Sequence, residues 1–252
     1  MKMKLTCGLI IFIFICNAFV VSWNNGYDAD APESNPQEIS RNVPKPLSNG
    51  VFNWSKIKVI SEPVSGRDFD TRISYASRIA VENDKIYVVW WSDNNTNGAG
   101  TDDDVFYRHF DGNNWADIQV ISEPVIGQNI NTGRSGVPDI AVENGKIYVV
   151  WQDLDNTNGA GNNDVDIFYR CNLTGTSWEP VQVISEPIFG KNMNIGHSWS
   201  PKIAVENGKI YVVWDDVNNT NNAGNDRDMF YRCNITGFGW EPVQIISEPV
   251  SG

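Results

Sequence analysis

Apolar residues between positions 140 and 187 fall into four short runs parted by polar turns, and none of the runs has helical spacing. Residues 140–143, Ile-Ala-Val-Glu, lead into Asn144-Gly145, a pair suited to a type I′ hairpin turn because both central residues of that turn need positive φ. Residues 146–151 are rich in β-branched and aromatic side chains and too short and apolar for an amphipathic helix, so they predict a second strand. After a polar loop, residues 166–170, Asp-Ile-Phe-Tyr-Arg, predict a third. A Gly-containing turn over 173–177 leads to Trp178, which opens a fourth strand that alternates through 181–184 and stops at Pro187.

The whole pattern occurs three times, with Ile79, Ile140 and Ile203 at equivalent places, 61 and 63 residues apart. A period that long means a repeat architecture, and four antiparallel strands per repeat make a propeller blade. The expected fold is therefore all-β, with blades over residues 64–124, 125–187 and 188–249 and the start of a further repeat at 250–252. Ahead of them, residues 51–63 carry Trp54 and an Ile-Ser-Glu-Pro run that align with Trp115, Trp178, Trp240 and the later runs. This reads as a lone fourth strand of a preceding blade, and residues 247–252 repeat 61–66 letter for letter. One strand and three blades are too few to close a ring, since propellers take about four to eight blades. Three explanations stay open: a fragment of a longer protein, a ring completed by several chains, or an open array whose bare edges invite self-association.

Residues 1–21, with Lys2 and Lys4 ahead of an apolar centre, have the pattern of a cleaved signal peptide or a retained N-terminal anchor, which would put the repeats outside the cytoplasm, secreted or at the cell surface. Residues 22–50, rich in Asn, Asp, Pro and Ser, have the composition of a flexible tether. The formal charge of −12 argues against nucleic acid and against anionic membranes beyond that anchor. Most of the 10 tryptophans recur at fixed places, Trp90, Trp151 and Trp214 or Trp115, Trp178 and Trp240, as interblade packing requires. Trp91 and Trp199 occur once each and are candidates for an exposed platform. Cys171 and Cys233, at the same place in neighbouring blades, are too far apart for a disulfide and read as packed thiols, and His109 holds their place in the first blade.

The order Ile-Tyr-Val-Val-Trp, polar loop, Asp-Ile-Phe-Tyr-Arg, Gly turn, Trp, Val-Ile-Ser-Glu-Pro resembles the blade of the sialidase-like, or BNR/Asp-box, propellers over residues 54–249. The turn at Cys171 to Trp178 keeps that family's Gly, hydroxyl residue and Trp and lacks its Asp, so the boxes are degenerate. The resemblance implies a site on the face formed by the loops between second and third strands and those from a fourth strand to the next first strand. Loops of the first kind are repeated at 95–100, 156–161 and 219–224, each followed by acid pairs: Asp102 and Asp104, Asp164 and Asp166, Asp226 and Asp228. With Asp153, Asp155 and Asn158, which are expected to converge with Asp164 and Asp166, these supply the oxygen ligands that Ca²⁺ prefers. The competing expectation is that Asn, Asp and Gly simply form turns there.

Loops of the second kind differ between repeats, and a unique ligand must be read where the symmetry is broken. The first holds Arg67, Asp68, Asp70, Arg72, Tyr75 and Arg78, the residue types that the resemblance assigns to sialidase catalysis. The second holds Arg134, and the third His197 beside Trp199, all three candidates for ligand contact together with Trp91. Arg108, Arg170 and Arg232 are fixed by the repeat and read as structural. Every Glu of the blades sits in a repeated position, which weighs against hydrolysis by this chain alone. The expected role is an extracellular module that binds or scaffolds a glycan or protein. The alternatives are a sialidase-type hydrolase completed by further blades and a structural surface-assembly unit.

Overall fold

The computed structural model describes residues 56–62, 72–157, 159–161, 164–187, 193–219, 223–224, 226–237 and 239–248. The expected targeting segment, the tether, Trp54, Arg67, Asp68, Asp70 and Asn158 lie outside the described residues. Those residues form three four-stranded antiparallel sheets and no helix. The first sheet holds β1 (Ser74–Glu82), β2 (Lys85–Ser92), β3 (Asp104–Phe110) and β4 (Gln119–Val120); the second, β5 (Gly136–Glu143), β6 (Lys146–Asp153), β7 (Asp166–Asn172) and β8 (Gln182–Val183); the third, β9 (Ser198–Glu206), β10 (Lys209–Asp216), β11 (Asp228–Asn234) and β12 (Gln244–Ile245). Each sheet is ordered as the chain runs, which is the propeller blade expected from the repeat. Successive first strands, β1, β5 and β9, pack beside one another.

The hairpin turns follow from their residues. Asn144 and Gly145, and Asn207 and Gly208, all have positive φ, as a type I′ turn demands. Two departures from the sequence pattern are informative. The fourth strands pair over two residues only, and the tryptophan expected to open them stands outside. Pro180 and Pro242 remove a donor beside two of those tryptophans, whose indoles turn to the neighbouring blade instead. The first strands begin earlier than expected and each carries a bulge, with Ala76, Val137 and Ser200 in the left-handed region at φ near 46, 47 and 54°. A β-branched residue there is a strained exception.

The blades are joined by one repeated set of bonds. Arg170, buried on β7, donates through Nη1 to the carbonyls of Ile121 (2.9 Å) and Glu123 (2.6 Å) in the tail of the first blade, and through Nε to Glu179 O (2.7 Å). Arg232 repeats this with Ile184 and Glu186 at 2.8 and 2.7 Å. Arg108 does so with Ile60 and Glu62, both at 2.8 Å, so residues 60–62 fill the place of a preceding blade's tail, although 56–62 form no strand. The Nε1 of Trp178 and of Trp240 donates to Gln119 and Gln182 of the blade before, and each indole meets a tyrosine, Tyr107 or Tyr169, edge on with ring centroids 5.0 Å apart. At the hairpin end, the carboxylate of Glu82 accepts the N–H groups of Asn144 and Gly145, and Glu143 accepts those of Asn207 and Gly208. Between these bonds lie Trp151 and Trp214, fully buried. Each joint therefore spends the repeated tryptophans and arginines on structure, as their fixed places suggested. Cys171 and Cys233 are buried and form no disulfide.

Candidate functional site

The loop end between the first and second blades opens a cleft of about 200 Å³, lined by Trp91, Asp103, Arg134, Ser135, Gly136, Val137, Gln152, Leu154 and Val165. The bulges position it. Each comes one residue after a position on the rim, Tyr75, Gly136 or Trp199, and a bulge re-aims the residues around it. Tyr75 stacks on Trp91 with ring centroids 4.6 Å apart and 24° between planes. A Cβ on Gly136 would sit 4.0 Å from the Trp91 ring, so the absence of a side chain there leaves the indole face room. Arg134 reaches from the far wall and binds Asp103 Oδ2 through Nε at 2.7 Å while its side chain stays 71% exposed.

The corresponding place between the second and third blades is built differently. Gln152 stands where Trp91 was, and its Oε1 accepts the N–H of Ser200 at 3.1 Å. Trp199 stands where Gly136 was, so the aromatic comes from the opposite wall. His197, in the place of Arg134, stacks on Trp199 at 5.3 Å, and its Nδ1 accepts the N–H of Val165 at 3.0 Å. The Arg227 guanidinium lies 4.4 Å over the Trp199 ring and pairs with Asp215 at 3.2 Å. The structure thus places Trp91 with Arg134 and His197 with Trp199, in two unlike settings.

Of the candidates named for catalysis, Arg72 pairs with Asp93 at 3.3 Å and Arg78 Nε with Asp139 at 3.7 Å. Tyr75 is engaged by Trp91. These three face different partners and form no arginine cluster.

The repeated acids are buried beneath the rim. Asp153 spends Oδ2 on Asn131, Ser135 and Trp151 and Oδ1 on the N–H of Asp155; Asp216 does the same with Asn194, Ser198, Trp214 and Asn218. These two are anchors for the loops around them. Asp104, Asp166 and Asp228 each accept one hydroxyl, from Ser122, Ser185 or Ser247, at 2.6 Å. Their Oδ2 atoms are buried without a hydrogen-bond partner among the described residues, as are both oxygens of Asp164, one of Asp102, and one each of Glu123 and Glu186. Asp166 stands opposite Asp153 across β6 and β7. Asp155 accepts the Thr157 hydroxyl, and Asp226 is exposed. Among the described residues, no three His, Cys, Asp or Glu side chains gather closely enough to hold one ion.

Burial pushes the carboxyls of Asp104 and Asp166 up to about 8 against the pull of their serine hydroxyls, and nearby acids add to the rise: Asp102, Glu123 and Asp153 around the first, Glu186, Asp164 and Asp216 around the second. In the sequence Glu123 and Glu186 read only as members of the repeated Ile-Ser-Glu-Pro tail. Each is buried and caps the next blade's variable loop, accepting the N–H groups of Ile130 and Asn131 or of Met193 and Asn194. The signal was their invariance across copies.

No family model matches the chain, and no curated protein matches it. Among solved structures it is similar to Zg3597, a family 117 glycoside hydrolase from the marine bacterium Zobellia galactanivorans, at TM-score 0.44 and 17% identity, over 71% of this chain and 57% of that one. It is similar also to a Trypanosoma rangeli sialidase in complex with sialic acid, at 0.43 and 12% over 67% of this chain and 30% of that one. A third is a Penicillium chrysogenum α-L-arabinanase complexed with arabinobiose, at 0.40 and 15% over 69% and 49%. The chain thus spans between about a third and three fifths of the length of these structures.

Proposed function

We propose that the protein is a glycan-binding propeller module and that the cleft between the first and second blades seats the sugar. The observation that carries this reading is the Tyr75–Trp91 stack beside the exposed, Asp103-bound Arg134. A flat apolar face with a few convergent polar groups is the usual make-up of a small-ligand site. Every one of these four residues breaks the repeat. The N-terminal targeting pattern supports a place outside the cytoplasm, where glycans are met. A glycan array tests the reading: the chain retains a defined saccharide set, and Trp91→Ala loses it by tenfold or more. Retention unchanged in Trp91→Ala would remove this cleft from the account.

For the acids beneath the rim, an unmet buried carboxylate oxygen is answered by a proton or by a cation. The raised carboxyls of Asp104 and Asp166 suit the proton, and the unmet oxygens of Asp102 and Asp164 beside them suit a cation equally. The calcium reading has its own test. Bound Ca²⁺ would raise the melting temperature at pH 8 and make sugar retention sensitive to chelator.

A further inference from the structure

Arg134 and Asp103 offer the first cleft two opposite kinds of hydrogen-bonding group. Arg134 gives its Nε to Asp103 Oδ2, so its Nη groups keep their N–H donors on a side chain that is 71% exposed. Asp103 spends Oδ2 on that bond, and its Oδ1 is left to accept. A guanidinium only donates and an ionised carboxylate only accepts, so the pair is answered by a ligand that does both. Two neighbouring hydroxyls do so together. Trp91 supplies a flat surface beside them, over which Gly136 leaves room. The face of an aromatic ring is the negative end of its quadrupole, which attracts electropositive C–H groups and turns away a carboxylate. Of the residues lining the cleft only Arg134 is cationic, and Asp103 already meets its charge. Asp102, next along the chain, adds a further acid with one oxygen buried and without a hydrogen-bond partner among the described residues. The space of about 200 Å³ lies below the ~300–1,000 Å³ of sites that take drug-sized ligands, so it suits a single ring.

Resting on the glycan reading of this cleft, we propose that its ligand is one neutral sugar ring with two neighbouring free hydroxyls, and that Asp103 is the residue that turns acidic sugars away. One hydroxyl accepts from an Nη of Arg134, the next donates to Oδ1 of Asp103, and a C–H face of the ring lies on Trp91. An acidic sugar would set its carboxylate against Asp103 and find an arginine already neutralised. The place between the second and third blades cannot make the same bonds, because Val165, His197 and Gln152 stand there for Asp103, Arg134 and Trp91. The chain therefore holds one such sugar, not one per joint.

Nuclear magnetic resonance titration of the full chain with matched pairs of probes tests this: methyl glucoside with methyl glucuronide, methyl galactoside with methyl galacturonide, methyl mannoside with methyl mannuronide. In at least one pair the neutral member should bind about tenfold or more tightly than its acidic partner, at one site per chain and with little dependence on salt. Asp103→Asn should reverse that order. The neutral sugar loses about tenfold with the charged acceptor, and the acidic one gains because Arg134 is no longer paired. An acidic member that binds the wild type as tightly as its neutral partner, with binding lost in Trp91→Ala, would overturn this inference and leave the glycan reading of the cleft standing. A wild type that binds none of the six would also overturn it, while the glycan array decides the broader reading separately. Binding that survives Trp91→Ala would overturn both, and an unchanged order in a folded Asp103→Asn would take the selecting role from Asp103.

Discussion

Arg170 and Arg134 lie in the same blade and do opposite work. Arg170 is buried, recurs as Arg108 and Arg232, and spends its guanidinium on backbone carbonyls of the blade before it. Arg134 is exposed, is replaced by His197 in the next blade, and meets Asp103, whose own counterparts are Val165 and Arg227. Residues kept in every copy solve the problem every copy shares, which is covering a blade face, and residues that vary are released for a ligand. The same division separates Trp151 from Trp91, two indoles sixty residues apart in rank, though only the second stands at the rim.

This division predicts two classes of variant. The largest stability effect belongs to Trp151→Ala, which empties a fully buried site between blades and should cost about 3–5 kcal/mol in denaturant unfolding. Arg170→Met comes next. It leaves the carbonyls of Ile121 and Glu123 without their charged donor inside a joint, at about 3 kcal/mol. If either variant kept wild-type stability, the repeated layer would not be what holds the blades together.

The acids sharpen the comparison through pH. Asp104 and Asp166 hold their protons up to about 8 in the folded chain, while an unfolded Asp releases its proton near 3.9. Below about pH 4 both states are protonated and these groups add no pH dependence. Between about 4 and 8 only the unfolded state gives up the proton, so stability falls as pH rises, by up to ~1.4 kcal/mol per pH unit for each group. Melting temperatures should therefore drop from pH 5 to pH 8, and Asp104→Asn with Asp166→Asn should flatten that slope and raise the melting temperature at pH 8. An unchanged slope in the double variant would move the titration elsewhere. The smallest stability effect belongs to Trp91→Ala, below about 1 kcal/mol, because the ring is half-exposed and its loss opens no core cavity; its effect is on sugar retention.

Much of the joint was legible in the sequence. The Asn-Gly pairs announced their turns, the strand runs their order, and the threefold return of Trp151 and Arg170 their structural role. The rim was less so. The bulges rest on Ala76, Val137 and Ser200, residues that carry no signal for a left-handed backbone, so nothing in the letters showed that Tyr75, Gly136 and Trp199 would be re-aimed. The acids were countable, but not which of their oxygens would be taken. Asp153 is saturated by Asn131, Ser135 and Trp151, and Asp164 has no donor among the described residues, because those donors come from a loop and a strand whose approach only the packed blades define.

Hydrogen exchange followed peptide by peptide, on the free chain and on the chain loaded with the saccharide it retains best, tests the central claim most directly. New protection is expected only in the segments around Tyr75, Trp91 and residues 131–137, with the three repeated loops at 95–100, 156–161 and 219–224 unchanged relative to one another. Equal protection of all three repeated loops would contradict it, because the ligand would then be read by what the blades share.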